Sequence, residues 1–216
     1  MRSKEESLDA LQDIRKMMER SSRFISLSGW SGISAGICAL LGAWFGYGVL
    51  ARTGGESVSA SSRTSQVGLS SMGEIQQLLL IGRLTFAAAA VSAFIFTYIR
   101  SKKNAIPMWG LTAKRLLINT MVPMIVGGLV ILRMMQTGYY DLVGSCSLVF
   151  YGLALVNASK YTLNEIRYLG YAELALGLID LWQRGYGLLF WALGFGVLHI
   201  IYGTMMWWKY ERVQSK

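Results

Sequence analysis

Long apolar runs alternate with short charged joints along this chain. Six runs stand out, at about 24–50, 76–99, 111–132, 142–157, 165–182 and 186–208. A helix rising 1.5 Å per residue needs roughly 20 apolar residues to cross the hydrocarbon core of a bilayer. The runs are continuous rather than alternating in polarity, which excludes a β-barrel built from strands of about ten residues. The pattern predicts an all-α, polytopic membrane protein with six transmembrane helices over 24–208. The fifth run is the weakest of the six, because it is short and carries acids. If it does not span, the sixth helix reverses and the C-terminus lies outside.

The stretch before the first run reads differently. Residues 1–23 mix acids and bases, and Leu8, Leu11, Ile14 and Met18 recur at helical spacing. Arg15 with Glu19, and Glu19 with Arg23, are spaced to pair on one helix face. A short cytoplasmic amphipathic helix is expected, resting on the bundle or docking a cytoplasmic protein partner. Its density of acids does not fit the basic start of a signal peptide. Residues 51–73 are rich in Ser and Gly and have no hydrophobic period, so a flexible connector is expected. The remaining joints are short, which favours antiparallel neighbours. Residues 209–216 read as a cytoplasmic tail.

Composition sharpens this picture. Of 216 residues, 53% are hydrophobic and only 15% charged, against about 25% charged in soluble domains. The mean hydropathy is +0.40. A soluble domain, a disordered chain and a disulfide-rich module are all excluded, and six helices leave no room for a second folded domain. The net charge of +9 reflects orientation rather than nucleic-acid binding. With both termini cytoplasmic, Arg52, Arg63, Arg133 and Arg184 lie outside and Arg83 lies within a run. The rest of the 21 Lys and Arg lie inside, as the positive-inside rule requires. Aromatic residues sit near both interfaces: Trp30, Tyr98, Trp207, Trp208 and Tyr210 inside, Tyr47, Tyr139, Tyr140, Trp182 and Tyr186 outside. Cys38 and Cys146 fall inside apolar runs and read as packing residues. With one histidine and no Cys/His cluster, no metal and no cofactor are expected.

Polar residues at membrane depth are the candidates for function, because burying them in hydrocarbon is costly. Glu173 lies mid-way along the fifth run, and Asp180 lies two turns on along the same face, with Gly170 and Gly177. Glu173 reads as a proton-binding site, with a structural hydrogen bond as the alternative. For Asp180 the alternative is interfacial solvation. Arg83 lies roughly 10 Å below the outer end of the second run. It is placed to snorkel, or to pair with Asp180 or Glu173. His199, roughly 13 Å from Trp208, is flanked by Gly196 and Gly203 on one face. It reads as a neutral packed donor or as a relay to Glu173. In the third run Pro123 removes the donor that would reach the Asn119 carbonyl, which predicts a kink. Gly32 with Gly36, and Gly42 with Gly46, place GxxxG twice in the first run. Such faces allow close helix approach, within one chain or in a homo-oligomer. Ile25, Gly29, Trp30 and Gly36 also echo Ile166, Gly170, Tyr171 and Gly177 at one constant offset, as a duplicated hairpin would.

Two resemblances follow from short motifs. Gly29-Trp30-Ser31-Gly32 resembles the GxSG of the intramembrane rhomboid proteases, which implies an intramembrane serine hydrolase using Ser31 and His199. Here the motif lies on the first helix rather than the fourth, and the oxyanion-side His and Asn of that family have no counterpart. The segment ERSSRFISLSGWSGISAG, with the preceding Ile14-Arg15-Lys16-Met17-Met18, resembles the start of a group of uncharacterised bacterial multi-pass membrane proteins. That implies the bacterial cytoplasmic (inner) membrane and no named activity. Two functions are therefore expected in competition. One is a small ion or solute conduit or transporter with an intramembrane carboxylate site, and not an enzyme. The other is a membrane-embedded regulatory or scaffold protein acting through its N-terminal helix.

Overall fold

The computed structural model describes residues 28–52, 72–103, 110–183 and 185–212. The amphipathic helix expected over 1–23, residues 53–71 of the Ser/Gly-rich connector and the last four residues of the tail lie outside the described residues; 51–52 and 72–73 are helical. Within them the chain forms helices α1 (Gly29–Arg52), α2 (Met72–Lys103), α3 (Leu111–Gln136), α4 (Val143–Ala158), α5 (Glu165–Trp182) and α6 (Gly187–Glu211). A single 3₁₀ turn, Tyr140–Leu142, leads into α4. The expected segments match these helices within a few residues. The largest difference is α2, which extends beyond 76–99 at both ends.

Five of the helices described are long and apolar enough to cross a membrane, α4 being counted from Tyr140. The exception is α5. It has 18 residues, and Glu165, Arg167, Glu173 and Asp180 lower its hydropathy. Neighbouring helices shield its acids: Glu173 and Asp180 are both buried.

The helices form a row of contacts rather than a ring. The tightest pair is α4 with α5, and α6 packs against α1, α4 and α5. Two helices sit at the flanks: α2 rests on α1, and α3 rests on α4. Large apolar side chains point outward along both flanks, as with Leu84, Phe86, Val122 and Leu129. The interior is built instead from small residues, such as Ala39, Ala43 and Ala154, with few large ones such as Leu148 and Met206. In lipid, outward apolar residues gain nothing from burial, so helices associate by close backbone packing.

Glycines set that packing. A Cβ built on Gly29 would lie 2.5 Å from the Gly203 carbonyl, and one on Gly36 would lie 2.7 Å from the Gly196 carbonyl. Gly32 faces Gly203. Together these close the α1–α6 seam. On the α4–α5 seam Gly152 and Gly170 face each other, each Cβ position within 2.9 Å of the other's carbonyl oxygen, and Gly177 abuts Ser145 and Leu148. Gly42 abuts Thr85 of α2, while Gly46 makes only ordinary contacts with Leu78 and Leu188. The glycine faces found in the sequence are thus taken up inside this chain.

Pro123 lies inside α3, which continues as a helix on both sides of it. The Asn119 amide donates to the Arg115 carbonyl, 2.8 Å away, within its own helix. The helix ends at Gln136, and Gly138 follows with a φ of +84° that suits glycine. Tyr139 N–H there reaches the Met134 carbonyl at 2.9 Å, which closes the turn towards α4.

The ends differ in charge. Arg100, Lys102, Lys103, Lys160, Lys209 and Arg212 gather where α2, α4 and α6 finish. A three-helix lock lies at this basic end. One oxygen of Glu211 accepts from Ser28 Oγ at 3.0 Å, Gly29 N at 2.6 Å and Arg100 Nη1 at 2.6 Å. A carboxylate is favourable at the N-terminus of α1, whose first amides lack helical partners. Beside it, Glu165 at the start of α5 accepts from Lys209 and from the Tyr210 hydroxyl, the latter at 2.8 Å.

Candidate functional site

Glu173, His199 and Tyr151 converge in the middle of the bundle. By helical rise His199 lies about 18 Å from either end of α6, and Glu173 about 12 Å from the start of α5. His199 Nδ1 is 3.4 Å from Glu173 Oε1 and 3.0 Å from the Gly194 carbonyl. Its Nε2 is 2.7 Å from the Tyr151 hydroxyl. These partners assign the ring proton. A carbonyl only accepts, so Nδ1 carries the hydrogen, and Nε2 accepts from Tyr151. In this state the imidazole is neutral and both nitrogens are engaged.

Glu173 is in a different condition. It is 0% exposed, yet neither carboxyl oxygen has a hydrogen-bond partner among the described residues. Asp180, on the same helix face, shows the contrast: Ser145 Oγ donates to its Oδ2 at 2.6 Å. A buried polar group without a partner costs about 1–3 kcal/mol, and more when charged. Glu173 Oε1 lies 3.4 Å from His199 Nδ1, so the nearest titratable group to the carboxyl is the imidazole.

Local sequence explains how α6 makes this room. Its middle turn, Ala192–Leu198, widens into a π-helix, a feature often found at functional sites. Gly194 lies in that turn, and a Cβ there would collide with Glu173 Oε2 and Leu148 Cδ2. Trp191, Phe195 and His199 follow at intervals of four residues and stack along one face. The Trp191–Phe195 centroids are 5.1 Å apart, and Tyr151 closes the stack at 5.0 Å from Phe195. This aromatic wall fixes the imidazole plane.

The structure brings together Glu173 and His199, as the sequence suggested, and keeps Asp180 nearby on α5. It does not bring in Arg83. That side chain is exposed on the flanking α2, and its Nε donates to the Leu79 carbonyl of its own helix, 3.3 Å away. Measured from Arg100 at the basic end, Arg83 sits about 25 Å along α2, near the far edge of a hydrocarbon core roughly 30 Å thick. Snorkelling accounts for it. Ser31 does not meet His199 either: its hydroxyl donates to the Ser28 carbonyl at 2.5 Å. Tyr151 and Gly194 were not singled out from sequence. Set against known proteins, the chain matches no family model, no curated protein and no solved structure.

Proposed function

We propose that this chain is a small-ion conduit or transporter, and that Glu173 is its ion-binding group, with His199 as its relay. The observation that carries the reading is the state of Glu173: fully buried at mid-depth, without a hydrogen-bond partner, and 3.4 Å from a titratable ring. A carboxyl kept only to hold helices together would have its oxygens met by donors, as Asp180 is by Ser145. Intramembrane acids of this kind mark ion paths and proton relays. The lopsided basic end supports an orientation with both termini cytoplasmic. The bacterial inner membrane is the location this reading takes, from the resemblance of the N-terminal segment alone.

The test is flux. The purified protein is reconstituted in liposomes holding a trapped pH dye and exposed to ion gradients. Proton or cation movement by the wild type, abolished by Glu173→Gln with the fold intact, is the expected result. No movement above empty liposomes, across several ions and pH values, overturns the conduit. The regulatory alternative rests on residues 1–23, which lie outside the described residues, and no observation favours it.

A further inference from the structure

We infer that the acidic stretch at residues 5–13 docks on the basic end of its own bundle, on Lys102, Lys103 and Arg212. Such docking is independent of ion conduction.

The Glu211 lock fixes where the chain enters the bundle. One carboxyl oxygen holds Ser28 and Gly29, at the start of α1, together with Arg100 of α2. The chain therefore enters α1 at the seam where α2 and α6 finish. Lys102 and Lys103 follow Arg100 at the end of α2, and Arg212 follows Glu211; all three are exposed. Arg212 lies over the Trp208 ring, 5.6 Å from its centroid, and Trp208 is itself exposed. An exposed cationic rim with an apolar edge thus flanks the point of entry.

The acids at this end are already taken. Among the described residues they are Glu165, which accepts from Lys209 and Tyr210, and Glu211, which accepts from Ser28, Gly29 and Arg100. The complementary charge lies just before α1. Between Lys4 and Arg15 the sequence carries Glu5, Glu6, Asp9 and Asp13 and no base. Glu5, Asp9 and Asp13 recur every four residues, the spacing of one helix face. The next stretch reverses the sign, with Arg15, Lys16, Arg20 and Arg23 against Glu19. Bases beside a bilayer suit its anionic headgroups, which leaves the acidic stretch for the cations of the protein.

The tether is long enough. From Asp13 to Ser28 the chain spans about 22 Å as a helix and about 50 Å extended, while packed helices lie about 8–10 Å apart. A tether of this kind holds the acids near the rim at about millimolar effective concentration, an advantage no separate partner has. Lipid headgroups are the rival for the same cations. They would leave four acids tethered over a surface of their own sign.

The experiment uses a carbodiimide, which joins a carboxylate to an amine only where the two touch. The wild-type chain is treated in nanodiscs of phosphatidylcholine, and again with phosphatidylglycerol added, and the joined peptides are read by mass spectrometry. Mixing light and nitrogen-15-labelled chains separates bonds within one chain from bonds between two. Bonds from residues 5–13 to Lys102 or Lys103 within one chain, in both lipids, are expected. Their absence overturns the docking. Bonds only between two chains make a second copy the occupant and overturn it too. Bonds that vanish when phosphatidylglycerol is added give the rim to headgroups, which also overturns it. Trypsin supplies a second readout, because cleavage after Arg15 needs its neighbours, Asp13 among them, drawn into the protease. Cleavage there should be at least fivefold faster when Lys102→Gln and Lys103→Gln are combined, with thermal melts confirming the fold. Equal rates overturn the docking.

Discussion

Gly194 and Glu173 occupy one space. The glycine has no side chain where the carboxyl of the acid needs room, and a Cβ there would meet Oε2 and Leu148 at once. The buried acid, the π turn and the glycine are therefore one device. Gly194→Ala is expected to destabilise the bundle by about 1–3 kcal/mol through overpacking. It should also push the carboxyl away from His199. A lowered melting temperature in detergent with a shifted Glu173 infrared band is the check; an unchanged band would refute the shared space.

Glu211 ties three helix ends through one oxygen. Glu211→Ala removes the cap of α1 and the partner of Arg100, at a cost of about 1.5–3 kcal/mol for hydrogen bonds to a charged group. Glu211→Gln keeps an amide oxygen for Gly29 N–H and should lose less. Equal melting temperatures for the two variants would show that the charge, not the cap, carries the lock.

The glycines predict opposite signs. Gly203→Ala places a methyl against the Gly29 carbonyl and the Ile33 amide nitrogen, and should destabilise by about 1–3 kcal/mol. Gly82 and Gly128 have nothing within 4 Å of a Cβ position. Alanine at either should be neutral or stabilising by up to about 1 kcal/mol, because glycine is a poor helix former. Melting curves of the single variants decide it. A destabilising Gly82→Ala would point to a partner on that face.

Ser145 and Asp180 join α4 to α5 by a buried hydrogen bond of 2.6 Å. Ser145→Ala leaves the acid without its donor and should cost about 1–3 kcal/mol. Asp180→Asn keeps an acceptor and should cost less. A double-mutant cycle measures the coupling, and a value near zero would remove Asp180 from the packing of the two helices.

Much of the architecture was legible in the chain. Length and continuity of the apolar runs place all six helices, because hydrocarbon demands segments of set length with their backbone bonds satisfied internally. The doubtful fifth run is also the helix that is too polar to count as a span. Its acids are the reason, and burial against α4 and α6 is how the fold accommodates them. Glu173 and His199 were visible as candidates because polar residues at membrane depth are rare.

What periodicity could not give was the neighbour of each face. Arg83 has the depth to meet Asp180, yet α2 packs mainly along α1, and the arginine is exposed. Ser31 and His199 lie on adjacent helices, but each hydroxyl and ring nitrogen found a nearer partner. Tyr151 looks like an ordinary aromatic residue until α4 and α6 come together and bring its hydroxyl to His199. Helix content follows from local pattern and solvent, which act along the chain. The site follows from helix order and rotation, set by glycine contacts between segments far apart in sequence, and those exist only once the bundle is assembled.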